Sequence, residues 1–86
     1  MSEVKKTVIG KVAHFYPKIN VIVVTVETPL TVGDRIMIEG KTTHLEQVVD
    51  SMQIENVNIQ RAEPGQSIGL KVVDKVKEGD TIFKLD

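Results

Sequence analysis

The sequence predicts an all-β fold, a small closed antiparallel β-barrel. The apolar residues, 41% of the 86, are mainly valine and isoleucine, which are stiff at the first side-chain torsion and pack well on a pleated surface. They fall into about seven short runs at regular spacing. Turn formers stand between the runs: Val32-Gly33-Asp34, Pro64-Gly65 and Gly79-Asp80. Closing the sheet on itself protects strand edges that so short a chain has little else to cover.

Residues 1–6 are polar and read as a frayed or disordered start, so the single barrel domain runs over 7–86. Residues 7–14 form the first strand, with Val8, Gly10 and Val12 on one face and Ile9, Lys11 and Ala13 on the other. Residues 15–20 are a turn marked by Pro17 and Asn20. Residues 21–26 are almost purely apolar and β-branched, which predicts a strand buried on both faces. The segment 27–31 breaks it. Val32-Gly33-Asp34 then turns into Arg35–Glu39, with Ile36 and Ile38 inward and Arg35, Met37 and Glu39 outward.

Gly40 ends that strand. Residues 42–54 are long for one strand, and Leu45, Val48, Val49, Met52 and Ile54 change phase once. A bulge or bend near Val48-Val49 accounts for this. A helix is the other reading, because Leu45, Val48, Val49 and Met52 fit its period, but the Thr-rich start and the surrounding strands favour β. Val57 and Ile59 mark a short strand, and 62–66 a turn. Residues 67–73 form a strand with Ile68, Leu70 and Val72 inward. Gly69 within it predicts a close backbone approach or a tight bend. A second Gly-Asp turn, 77–80, leads into Thr81–Leu85. In these turns glycine supplies a positive φ, and the aspartate accepts from nearby backbone N–H groups.

With three aromatics only, Phe15, Tyr16 and Phe83, the core must be aliphatic. Eleven basic residues face twelve acidic ones, a net charge of −1, so the basic excess that bulk binding of nucleic acid needs is absent, while a local patch remains open. No apolar run approaches the about 18 residues of a membrane span, and the polar start lacks the apolar stretch of a signal peptide. A cytoplasmic protein is expected. No cysteine is present, which excludes disulfides and thiolate metal sites. His14 and His44 are distant from each other in sequence and read as surface or turn residues. No Gly-x-x-x-x-Gly-Lys-Ser/Thr motif binds a nucleotide, and Ser51 and Ser67 sit in no nucleophile motif. The expectation is a chain with no catalytic residues, no metal and no cofactor.

The turns and strands also carry a resemblance. Gly10-Lys11-Val12 comes first, then Leu30-Thr31-Val32-Gly33-Asp34-Arg35-Ile36-Met37-Ile38, Val49-Asp50-Ser51-Met52, the run from Ala62 to Leu70, and Lys77-Glu78-Gly79-Asp80-Thr81-Ile82. In this order they resemble the second, barrel domain of elongation factor Tu and its relatives among the translation GTPases, over nearly the whole chain. With no GTPase domain before it and no third domain after it, the chain is expected to be a free-standing, elongation-factor-like barrel of the translation-factor second-domain type. In that family the barrel holds the acceptor end of tRNA or contacts the ribosome. The corresponding segments here are Ser51-Met52-Gln53 and the turn at 65–69. Gln53-Ile54-Glu55-Asn56 departs from the family's pattern, with Gln53 where a glutamate stands and no basic or aromatic residue after the methionine. A second resemblance, through Val-Gly-Asp followed by Val-x-x-Met, is to the small C-terminal barrel of the collagenase-like peptidase family, an accessory domain linked in several members to RNA modification.

Two functions follow as expectations. The first is a non-catalytic, translation-factor-like module touching tRNA or ribosome through one barrel face. The alternative is a protein-interaction barrel that docks on a larger enzyme or translation factor through an apolar patch. Lys5, Lys6, Lys11 and Lys18 form a basic set in the first hairpin. Phe15 and Tyr16 at its tip offer a stacking surface, or else cap one end of the barrel. The candidate contact residues are Lys11, Tyr16, Lys18, Met52, Gln53 and Gln66.

Overall fold

The computed structural model describes residues 6–85; the start at 1–5, read above as frayed, lies outside them. Ten strands follow one another: β1 (Lys6–Tyr16), β2 (Val21–Thr25), β3 (Leu30–Thr31), β4 (Arg35–Glu39), β5 (His44–Val48), β6 (Met52–Ile54), β7 (Val57–Ile59), β8 (Arg61–Ala62), β9 (Ser67–Lys71) and β10 (Thr81–Leu85). Eight of them make one sheet in the order β5-β4-β10-β1-β2-β9-β6-β7, and β3 pairs with β8. Every pairing is antiparallel. The Cα radius of gyration is 11.9 Å, against about 12 Å for a compact chain of this length, so the sheet curls round its core.

The barrel does not close, which corrects the closed form expected from the sequence. β5 and β7 are the free edges of the sheet. The segment 42–54 is neither one strand nor a helix: β5 ends at Val48, the chain bends through Val49-Asp50-Ser51, and β6 joins β9 instead of β4. β6 and β7 are then only three residues long, too short to run along β5. A side chain spans the seam: the Gln47 amide donates to the Lys71 carbonyl at 3.0 Å and accepts from the Val73 N–H at 2.9 Å.

Three corners share one construction, in which a four-residue turn clasps a buried valine. In Thr31–Asp34, Glu63–Gln66 and Lys77–Asp80 the fourth N–H donates to the first carbonyl at 3.0–3.1 Å. The fourth side chain accepts from the first N–H, through Asp34 at 2.9 Å, Gln66 at 2.8 Å and Asp80 at 2.8 Å. The third residue is a glycine with φ of +100, +91 or +89°, as a type II turn demands. Each glycine N–H donates to a valine carbonyl (Val49, Val26 and Val12), and each of those valines donates back to the carbonyl of the turn's fourth residue. All three valines are buried.

The core is aliphatic, built from Ile9, Ile22, Leu30, Ile36, Ile38, Met52, Ile68, Leu70 and Ile82 among others. Burying each such side chain stabilises the fold by about 1.5–3 kcal/mol. β1 departs from simple alternation. Register shifts between Val8 and Gly10, and again between Val12 and His14, mark bulges that let its first half pair with β10 and its second with β2. An added residue reverses which face the following side chains use. Hence Ile9 is buried with Gly10 and Val12 while Val8 is exposed, so the two faces read from simple alternation do not hold along β1. β2 also differs from its reading: Ile22 and Val24 are buried, whereas Val21 and Val23 face outward, half-buried.

Asp80→Ala leaves the Lys77 N–H without its acceptor in a part-buried clasp. It is expected to destabilise the chain by about 1–3 kcal/mol in urea unfolding, with Asp80→Asn costing less because it keeps an acceptor. Gln47→Ala, which opens the seam, is expected to cost about 0.5–1.5 kcal/mol by the same measurement.

Candidate docking groove

The outward faces of β1, β2, β9 and β6 line up in rows set by the strand register. In one row Tyr16 lies beside Val21, and Val21 beside Lys71. In the next, His14 lies beside Val23, Val23 beside Gly69, Gly69 beside Gln53, and Gln53 beside Asn58. Gly69 has no side chain, so the middle of the surface sinks to backbone. The result is an open groove of about 360 Å³, floored by Val21, Val23 and Gly69 and bordered by Tyr16, Ile19, Gln53, Glu55 and Asn56.

Local chemistry fixes each wall. The Tyr16 ring stands edge-on to the His14 ring, with centroids 4.4 Å apart, and His14 Nδ1 lies 2.9 Å from Glu78 Oε2. Asn20, with φ of 53°, turns the hairpin tip back toward β2 and leaves Ile19 60% exposed. On the far wall Gln53 Nε2 donates to Asn58 Oδ1 at 3.0 Å. The β6–β7 connection is the two-residue turn Glu55-Asn56, with φ of 50° and 66°, both positive as a type I′ hairpin requires. Asparagine tolerates this conformation. Glutamate does so at a cost of about 1–2 kcal/mol, so the rim of the groove is strained.

Tyr16 and Gln53 come together as walls of the groove. Lys18 stands next to it, at the tip, with Tyr16, Pro17 and Ile19. Met52 points to the opposite face and is 1% exposed, which leaves it no surface to offer a partner. Gln66 uses its side-chain oxygen inside a clasp. Lys11 lies toward the other end of β2, where Val12 pairs with Val24. The basic set does not form one patch: β1 carries Lys6 up to about 33 Å from Tyr16, Lys6 is paired with Glu39 at 3.1 Å, and Lys5 lies outside the described residues. Phe15 packs against the core, while Tyr16 is 46% exposed. The sequence reading missed Ile19, Val21 and Val23, and took Gly69 only as a close backbone approach or bend within the 65–69 segment. In a run where every residue is apolar, the outward valines carry no mark that separates them from the core.

Among the described residues no group of three or more His, Cys, Asp or Glu stands together to hold a metal ion. No helix of the structure is long and apolar enough to cross a membrane.

The fold, an open antiparallel β half-barrel, is shared with a solved β-domain. The C-terminal domain of a candidate U32 peptidase from Geobacillus thermoleovorans superposes with a TM-score of 0.83 over 92% of this chain and 91% of that one, at 20% identity. By sequence, the chain is 40% identical over 85 residues to an uncharacterized protease of Methanocaldococcus jannaschii, covering 98% of this chain and 21% of that protein. It is 31% identical over 84 residues to a collagenase of Porphyromonas gingivalis, covering 95% of this chain and 23% of that protein. The chain thus spans about a fifth of the length of the curated relatives it matches. No protein-family model matches it.

These findings overturn the translation-GTPase resemblance, and with it the elongation-factor-like, RNA-binding module. The relatives carry the names of a protease and a collagenase, and they fall with the second resemblance. The motifs that pointed to translation factors are the valine clasps, which encode backbone corners rather than a partner. The expectation that the chain is not an enzyme is corrected by the same relatives, whose names are those of a protease and collagenases.

Glu55→Gly relieves the positive-φ strain at the rim, partly offset by the added freedom of the unfolded chain. It is expected to stabilise the chain by about 0.5–1 kcal/mol, raising Tm by about 2–8 °C in a thermal melt.

Proposed function

We propose that this chain is the small β-domain of a peptidase-related protein, and that it docks through the groove floored by Val21, Val23 and Gly69 onto a larger protein body. Residues 7–86 make up that domain. The observation that carries the reading is the match of 98% of this chain to only 21% of the Methanocaldococcus protein, in which a segment of this sequence type accompanies a much larger body. The groove suits the role, since an exposed apolar floor flanked by a tyrosine and side-chain amides is a surface that a protein partner desolvates. Polypeptide is the substrate of the whole protein in this reading, in keeping with the relatives' names. The cysteine-free composition needs no oxidising compartment, and a cytoplasmic location is part of the proposal.

The test is a chimera in which this chain replaces the matching segment of the Methanocaldococcus protein. Hydroxyl-radical footprinting is expected to label Tyr16 and Ile19 several-fold more slowly in the chimera than in the isolated chain, with Val8, on the other half of β1, labelled equally in both. Equal labelling of Tyr16 and Ile19 in the two would sink the docking function.

A further inference from the structure

Of the six glycines, Gly69 is the one that the fold itself does not require. Gly33, Gly65 and Gly79 hold the left-handed positions of the clasps. A Cβ on Gly10 would run into the Thr25 carbonyl oxygen, and one on Gly40 into the Asp80 carboxylate. At Gly69 a Cβ would meet Val21 Cγ1 at 3.4 Å and the Gln53 carbonyl oxygen at 3.8 Å, both ordinary contacts, and its φ lies outside the left-handed region. Glycine within a strand is less stable than alanine by about 0.5–1 kcal/mol. Here that stability is given up in the middle of β9, between the valines of an exposed floor and the amide wall. Among the described residues no group fills the notch that results.

The charges around the notch are separated. Lys71 borders the floor next to Ser51, and Lys18 stands at the hairpin tip on the same side, since Tyr16 pairs with Val21 and Val21 with Lys71. Glu55 lies at the other end, in the β6–β7 turn, because β6 runs antiparallel to β9 and away from Lys71. None of Lys18, Lys71 and Glu55 forms an ion pair among the described residues. A surface with unpaired positive charge at one end and negative charge at the other orients what binds along it.

We infer that the Gly69 notch seats an apolar side chain of an extended segment of the larger body, aligned with an acidic residue over Lys71 and a basic residue beside Glu55. The inference rests on the docking function proposed above and specifies what enters the groove. An extended segment laid along the strands presents one side chain to the notch and turns its neighbours away. Backbone approaches backbone most closely where glycine stands in a strand, so Gly69 supplies the notch and Lys71 and Glu55 the direction.

Gly69→Ala and Lys71→Glu separate this arrangement from docking in general. In the isolated chain Gly69→Ala is expected to keep or raise Tm. In the chimera with the Methanocaldococcus protein, each substitution is expected to return the labelling of Tyr16 and Ile19 toward the level of the isolated chain, while Val8→Ser leaves their protection unchanged. Full protection in both substituted chimeras overturns the arrangement and leaves docking standing. Absence of protection in the unsubstituted chimera overturns docking itself. A fall in the Tm of the isolated chain with Gly69→Ala would mean that the fold does need this glycine, and it overturns the inference as well.

Discussion

Both backbone groups of a buried valine are taken by one turn at three corners of this fold, at Val12, Val26 and Val49. Everything else hangs from that arrangement. A buried N–H or C=O left unpaired costs about 1–3 kcal/mol, and a sheet that bends sharply creates such groups wherever a strand leaves its partner. The clasps satisfy them at the bends. The turns are local, but the valines they clasp stand far off in the sequence, so each clasp also ties distant segments together. A core poor in aromatics and rich in Ile and Val then fills the curl of the sheet.

The clasps also explain what could be read from the sequence. Glycine at a positive φ, followed by a side chain that reaches back to the turn's first N–H, is a local signal. The corners at Gly33-Asp34, Gly65-Gln66 and Gly79-Asp80 stand in the sequence for that reason. Closure of the barrel is not local. It depends on how far β6 and β7 extend and on Gln47, one polar residue on an edge strand, two of whose hydrogen bonds reach residues more than twenty positions away. The bulges in β1 are equally silent, since nothing in Val8-Ile9-Gly10 states which residue the partner strand will skip.

The groove was half legible. Tyr16 and Gln53 attract notice as an exposed aromatic and a polar residue on a strand. Val21 and Val23 do not, because hydrophobicity alone cannot tell a valine that faces the core from one that faces outward. Gly69 was noticed for the right property with the wrong neighbour in mind, since the chain's own backbone does not crowd it. The resemblance to translation factors failed for a related reason. Shared corners testify to a way of folding a short chain, and the surface between the corners decides what that chain meets.

The pairing of Lys6 with Leu85 has a consequence for how such a domain is attached. The first and last described strands lie side by side, so both directions of the polypeptide leave from one spot. A body joined at either side, or at both, meets the domain at the same point and sees the groove in the same orientation. Folding is bound by the same pairing. The first half of β1 gains its partner β10 only when the end of the domain has been made, so the sheet is completed last where Lys6 and Leu85 lie side by side.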